Sequence, residues 1–162
     1  MTIKIFTTGG TFDKLYFDAA SEFRFGEPIV AALLEEANVS FEFDIEPLMQ
    51  KDSLEMDDAD RERIRRAVDD CGSERILIIH GTDGMVASAE RLLEVRGRTV
   101  VLFGAMQPAR MRYSDAIYNL GFASAAVQLL PHGVYLAMNG RVFDPRRVAK
   151  NRTQGRFEAL DE

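Results

Sequence analysis

The sequence predicts a three-layer α/β fold: a doubly wound, mostly parallel sheet with helices on both faces, in the flavodoxin-like or Rossmann-like manner. Three observations predict it. Five short apolar runs alternate with four helical patterns. The last three runs are continuous rather than alternating, as expected of strands covered on both faces. The length, 162 residues, gives room for one domain, 1–162, where a domain takes ~100–200 residues.

The first strand carries Ile3, Ile5 and Phe6 and ends at Gly9-Gly10. A helix over Pro28 to Asn38 follows, with Pro28 suited to its first turn. The second strand holds Phe41, Phe43 and Ile45 and is expected to stop at Pro47. Asp57 to Cys71 opens with acids, which suit the positive end of a helix dipole, and exits at Gly72. Ile76 to Ile79 forms the third strand, ending at His80-Gly81. Met85 to Val95 is helical and leads to Gly97. Val100 to Phe103 is the fourth strand, ending at Gly104. Asp115 to Leu130 is a helix closed by Pro131, and Val134 to Met138 is the fifth strand. The least regular stretches are 12–27 and 141–162. The first holds Phe12, Tyr16, Phe17, Phe23 and Phe25 with neither strand nor helix period, and its place after Thr11 suggests a mobile lid.

Composition narrows the function. Net charge is −6, which argues against a nucleic-acid or anionic-membrane surface. The basic cluster Arg141, Arg146, Arg147, Lys150, Arg152 and Arg156 lacks aromatic interleaving and reads as solvated or subunit-facing. No apolar run approaches the ~18–20 residues of a membrane span, and the N-terminus lacks the pattern of a signal peptide. One cysteine, Cys71, fits a reducing, cytoplasmic setting. With two histidines beside it, a structural zinc site is not expected. His80 reads as a packed imidazole with one hydrogen-bonded nitrogen, and His132 as solvated.

Ligands of open α/β sheets bind beyond the carboxyl ends of the strands. There the sequence places Thr8-Gly9-Gly10-Thr11, His80-Gly81-Thr82-Asp83-Gly84 and Gly104-Ala105-Met106-Gln107-Pro108. A hydroxyl nucleophile needs a partner for its proton and donors for an oxyanion. Thr11 or Thr82 could attack, Asp83 or a lysine in a dry site could relay the proton, and glycine-turn amides could hold the oxyanion. The alternative is ordinary βα turns in which Thr and Asp cap helices. Dinucleotide, Walker and nucleophile-elbow motifs are absent.

In this order, each after a strand, these motifs resemble those of the bacterial-type L-asparaginases, the asparaginase/glutaminase family, and in particular its short single-domain members. Ser114-Asp115…Tyr118-Asn119-Leu120, then Gly133 to Asn139 followed by Arg141 to Lys150, extend the resemblance to about residue 158. It implies hydrolysis of L-asparagine to L-aspartate and ammonia through a threonine acyl-enzyme, with no metal or organic cofactor. Thr11 matches the nucleophile, Tyr16 the lid tyrosine that activates it, and Thr82 the second catalytic threonine. Asp83 matches the carboxylate that holds the substrate's amino group, and Lys150 the lysine that completes the proton relay. Ser53 matches the serine that binds the α-carboxylate. Gly10 and Gly81 line the substrate, and Ala105 offers a carbonyl near the departing ammonia. The family commonly has Gln after that serine; here it is Leu54, so one substrate contact lacks its counterpart.

Longer members add a C-terminal domain that lends a glutamate to the neighbouring subunit's site. A chain stopping at Glu162 implies weaker substrate binding and a homo-oligomer, dimer or tetramer, to cover apolar surface. Three other readings compete: a glutaminase-leaning amidase, a non-catalytic module sensing a small amino acid, and a phosphate- or nucleotide-binding flavodoxin-like protein. A pure sensor needs no nucleophile, and the first turn is not a phosphate loop.

Overall fold

In the computed structural model, which describes residues 1–160, the predicted alternation is present; the last two residues of the expected 1–162 domain lie outside the described residues. The elements are β1 (Thr2–Gly9), β2 (Lys14–Phe17), β3 (Glu22–Phe25), α1 (Val30–Glu36), β4 (Glu42–Lys51), α2 (Asp58–Asp70), β5 (Arg75–Ile79), α3 (Met85–Glu90), β6 (Thr99–Phe103), α4 (Ala116–Leu129), β7 (Gly133–Met138), β8 (Arg141–Phe143), β9 (Val148–Asn151) and β10 (Arg156–Ala159). The main sheet runs β4-β1-β5-β6-β7-β8. Its first five strands are parallel and β8 pairs antiparallel to β7. After β4 the chain crosses to the other side of β1, so the crevice between β1 and β5 is the switch point at which such sheets bind ligands.

Burial explains the continuous runs. Ile76, Leu77, Ile78 and Ile79 are all fully buried, as are Val100, Val101, Leu102 and Phe103. Consecutive residues point to opposite faces of a strand, so both faces are covered. Helix α4 packs on β5, β6 and β7, and α3 on β6 and β7. Helix α2 is fixed at its start by a reciprocal capping box between Asp57 and Asp60, which satisfies two otherwise orphan amides.

Four expectations change. Strand β4 does not stop at Pro47 but continues to Lys51. It is an edge strand, where a proline's missing N–H costs no ladder bond. Its register slips between Thr7 and Gly9, and the Gly10 amide then bonds the Lys51 carbonyl at 3.0 Å. The stretch after Thr11 is not irregular: β2 and β3 form an antiparallel hairpin whose turn closes with Ser21 in the left-handed region at φ 49°. The tail is likewise ordered, with β8 completing the sheet and β9–β10 forming a second hairpin. Two helices are shorter than predicted, α1 ending at Glu36 and α3 at Glu90.

Candidate active site

The first turn is set by backbone geometry. Gly9 and Gly10 stand at φ 91° and 75°, a left-handed pair that favours glycine. The Thr8 hydroxyl donates to the Ile79 carbonyl at 2.8 Å, locking β1 to β5 just below the switch point. A Cβ on Gly10 would come within 2.7 Å of the Gly81 backbone. The turns that carry Thr11 and Thr82 therefore touch through their glycines. Gly81 in turn admits Ser53, whose Oγ would lie 2.6 Å from a Cβ at that position. Ser53 is buried, and its Oγ accepts from the Gly84 amide at 2.9 Å.

At the end of β5 the charged groups converge. Lys150 Nζ donates to Thr82 Oγ1 at 2.7 Å and to Asp83 Oδ1 at 2.9 Å. Arg152 Nε donates to the same Asp83 oxygen at 3.1 Å. Burial pushes the Asp83 carboxyl up, but the hydrogen bonds and charges of Lys150 and Arg152 outweigh it and hold the group below its ordinary range. The β9–β10 hairpin delivers both cations from nearly seventy residues away. Arg152's engagement departs from the reading of the basic cluster as solvated or subunit-facing, while the resemblance already gave Lys150 a partner role; Arg146 and Arg156 pair with the exposed neighbours Asp144 and Glu158.

Thr11 opens the short helical turn Thr11–Asp13. It lines a cavity of about 210 Å³ with Lys14, Phe23, Met106, Gln107 and Pro108. An adjoining cavity of about 240 Å³ shares Met106 and Gln107. Tyr16 stands on β2, 52% exposed, edge-on to Phe23 at 5.4 Å. No hydrogen bond joins its hydroxyl to Thr11 among the described residues. A larger groove of about 510 Å³ lies between α1 and α4. Its walls are mostly apolar, with Glu36, Ser124 and Gln128 among them, whereas the converging threonines, lysine and aspartate lie at the strand ends.

Residues without an assigned role in the motifs prove to hold the third turn. The Asp115 carboxylate accepts from the Met106 and Gln107 amides at 2.9–3.1 Å. Asn119 Nδ2 donates to the Gly104 carbonyl and to Asp115, both at 3.0 Å. Ala105, buried, sits inside this clamp. Lys14 is the other unforeseen neighbour: its ammonium lies 3.4 Å from Asp52 Oδ2, while Asp52 Oδ1 caps the Ser53–Glu55 turn through the Leu54 amide. Asp13 is buried and accepts from the Ile29 amide; burial, opposed by that bond and by Arg110, pushes its carboxyl up to about 6. His80 has partners on both ring nitrogens, the Gly81 carbonyl and the Ser88 hydroxyl, one more than expected. Burial lowers it to about 4, so it is a neutral packing group.

Among the described residues no cluster of three or more His, Cys, Asp or Glu side chains could hold a metal ion, and no helix is long and apolar enough to cross a membrane.

Comparison with known proteins bears on the same arrangement. The fold superposes on a thermostable L-asparaginase from Thermococcus kodakarensis with TM-score 0.87 at 24% identity, covering 100% of this chain and 52% of that one. A probable cytoplasmic L-asparaginase from Campylobacter jejuni gives TM-score 0.80 at 26% identity, over 98% and 51%. L-asparaginase I from Vibrio cholerae gives 0.81 at 25%, over 98% and 51%. The chain thus spans about half the length of these structures. No curated protein sequence matches it. The family model for the asparaginase N-terminal domain matches residues 2–161, and with the threonine turns and the lysine–aspartate pair in place at the switch point, the chain belongs to the asparaginase family through that domain.

Proposed function

We propose that the protein is an amidohydrolase that converts L-asparagine to L-aspartate and ammonia through a Thr11 acyl-enzyme. The observation that carries this reading is the Lys150–Thr82–Asp83 network, assembled from positions 67 and 68 residues apart beside the turn that bears Thr11. A threonine hydroxyl is a weak nucleophile until a neighbouring group takes its proton. Thr11 Oγ attacks the side-chain amide carbon, its proton passes through Thr82 into the Lys150–Asp83 pair, and backbone amides of the glycine turns hold the developing oxyanion. The C–N bond breaks as the amide nitrogen takes up a proton and leaves as ammonia. Water then attacks the ester carbon, releasing aspartate and restoring the Thr11 hydroxyl. Tyr16, carried on the β2–β3 hairpin, closes over Thr11 during the reaction. Gly10, Ser53, Gly81 and Ala105 line the substrate, and no cofactor takes part.

The same reading includes a cytoplasmic location and a homo-oligomer, dimer or tetramer. Ile117, Tyr118 and Leu129 are exposed on α4, and such surface favours self-association. Ammonia release from L-asparagine by the purified protein, beside Thr11→Ala, tests the activity: wild type releases ammonia and the variant does not. No release by wild type, or equal release by both, overturns it. A monomer by sizing chromatography with full activity overturns the oligomer.

A further inference from the structure

We infer that Lys14 binds the α-carboxylate of the substrate, exchanging its contact with Asp52 for that group, and so makes the site selective for amides that carry a carboxylate. The inference rests on the amidohydrolase reading above and concerns how that reaction recognises its substrate.

An ω-amide held at Thr11 presents its carboxylate a few bonds away, and on the reading above the Ser53 turn receives it. A carboxylate leaving water needs donors, and is held best by a charged one. Ser53 gives a neutral hydroxyl whose oxygen already accepts from the Gly84 amide. Leu54 beside it is apolar, and its amide is spent on Asp52. A cation is what this end of the site lacks. Lys14 opens β2 and lines the Thr11 cavity. Its ammonium lies against Asp52, the residue before Ser53. It therefore spans the gap between the nucleophile's turn and the serine's.

The other cations nearby are committed. Lys51 is held by both oxygens of Asp60, at 3.0 and 2.8 Å. Lys150 is held by Thr82 and Asp83, and Arg110 by the Asp13 and Glu27 carbonyls. Arg152 is exposed and tied to Asp83 on the β5 side. Lys14 is partly buried, 23% exposed, and its contact with Asp52 is 3.4 Å long, beyond the ~2.7–2.9 Å of a firm charge-assisted bond. Its other neighbour is the Phe25 ring, 5.4 Å from the ammonium. An ammonium has three donors, and Asp52 is the one hydrogen-bond acceptor that Lys14 has among the described residues. Asp52 itself is shared with the Leu54 amide. A substrate carboxylate brings two unshared oxygens, so the ammonium turns from the weaker acceptor to the stronger.

The test is steady-state hydrolysis of L-asparagine and of 3-aminopropanamide, which is asparagine without its carboxylate. Lys14→Gln should lower kcat/KM for asparagine about tenfold or more, chiefly through KM, the size of one charge-assisted contact. It should leave 3-aminopropanamide within about twofold, and Lys14→Arg should recover part of the loss. Asp52→Asn keeps an acceptor for the Leu54 amide and removes the competing charge, so KM for asparagine should fall about threefold. A purely structural ion pair gives the opposite sign, a KM that rises in both variants. An asparagine KM unmoved in a folded Lys14→Gln, an equal loss on both amides, or a KM that does not fall in Asp52→Asn overturns the inference and leaves the amidohydrolase reading standing. If neither amide is hydrolysed, that reading fails and calorimetric binding of L-asparagine decides the contact. Affinity about tenfold lower in Lys14→Gln than in wild type supports it; equal affinity, or no binding, overturns it.

Discussion

The two sides of the switch point are built differently. At the end of β5, Thr82 and Asp83 are tied to Lys150 by hydrogen bonds of 2.7 and 2.9 Å, so the proton-handling groups are already assembled. At the end of β1, Thr11 follows a glycine pair of which Gly10 is pressed on Gly81 and Gly9 on Lys51, and beside it stands a hairpin with Tyr16 and Phe23 about half exposed. On the proposed reading, the relay side is preorganised and the nucleophile side is completed by closure. That division suits an enzyme that must admit a polar substrate yet keep its base in register.

The largest effects should come from breaking either side at its reacting atom. Thr11→Ala should reduce kcat about a thousandfold or more, since no other hydroxyl replaces the nucleophile. Lys150→Met should cost about 10²–10⁴-fold, the range of a lost proton-transfer partner. Steady-state ammonia release on folded variants checks both. A Lys150→Met enzyme within a few-fold of wild type would show that the β5 network is structural.

Stability is expected to follow at about 3 kcal/mol for Gly10→Ala. The new Cβ meets the Gly81 backbone and holds φ 75°, a conformation costing ~1–3 kcal/mol in itself. Urea denaturation reads the change, and a loss below about 1 kcal/mol would mean the two turns are free to separate.

A comparable but hidden term lies under the turns, in His80 and Asp13. His80 is lowered to about 4, so between pH 6.5 and 4 the unfolded chain binds a proton the folded one refuses. Its contribution is therefore lost as pH falls through that window. Asp13 is raised to about 6, so between pH 4 and 6 the folded chain keeps a proton the unfolded one has released. Its contribution is lost as pH rises. Each is worth about 3 kcal/mol, and the slopes are opposite. Wild-type stability should be nearly level from pH 4 to 6 as far as these two groups set it. His80→Gln should make it fall with pH and Asp13→Asn should make it rise. Denaturant midpoints across that range, unchanged in slope by either variant, would refute the assignment.

The third turn allows a milder break. Asp115→Ala leaves the Met106 and Gln107 amides and Asn119 without their shared acceptor. A loss of about 2–3 kcal/mol is expected, with activity down about tenfold because Ala105 shifts. Unchanged activity at the lower stability would remove this turn from the site.

How much of this was readable in the residues depends on whether the cause was local. Strands β5, β6 and β7 announced themselves because burial on both faces leaves only apolar residues. The three turns were readable because glycine and hydroxyl residues cluster just after those strands. The β2–β3 hairpin was not, since half-exposed aromatics give no alternation, and β4 hid its length behind Pro47, which only an edge position tolerates. The roles of Lys14, Asp115 and Arg152 were also out of reach. Each depends on a partner brought near by the fold, from 8 residues away for Asp115 and Gln107 to 69 for Arg152 and Asp83. An Asp followed four residues later by Asn at the start of a helix was the one local sign that Asp115 and Asn119 work together.

The smallest effect sharpens the comparison most, because it concerns the side left to closure. Tyr16 meets Phe23 edge-on, with no hydrogen bond from its hydroxyl to Thr11 among the described residues, so on the proposed reading its contribution arises only when the hairpin moves. Tyr16→Phe keeps the ring contact and removes only the hydroxyl; kcat should fall about tenfold, with little change in KM. Phe23→Leu keeps the hydroxyl and weakens the edge-on pair, worth about 1 kcal/mol; it should raise KM and leave kcat nearly intact. If Tyr16→Phe matches wild type while Phe23→Leu loses kcat, the hairpin acts as a wall around Thr11 and the tyrosine takes no part in activating it. If both lose kcat equally, closure itself limits the rate, and the nucleophile side is gated rather than assembled by its lid.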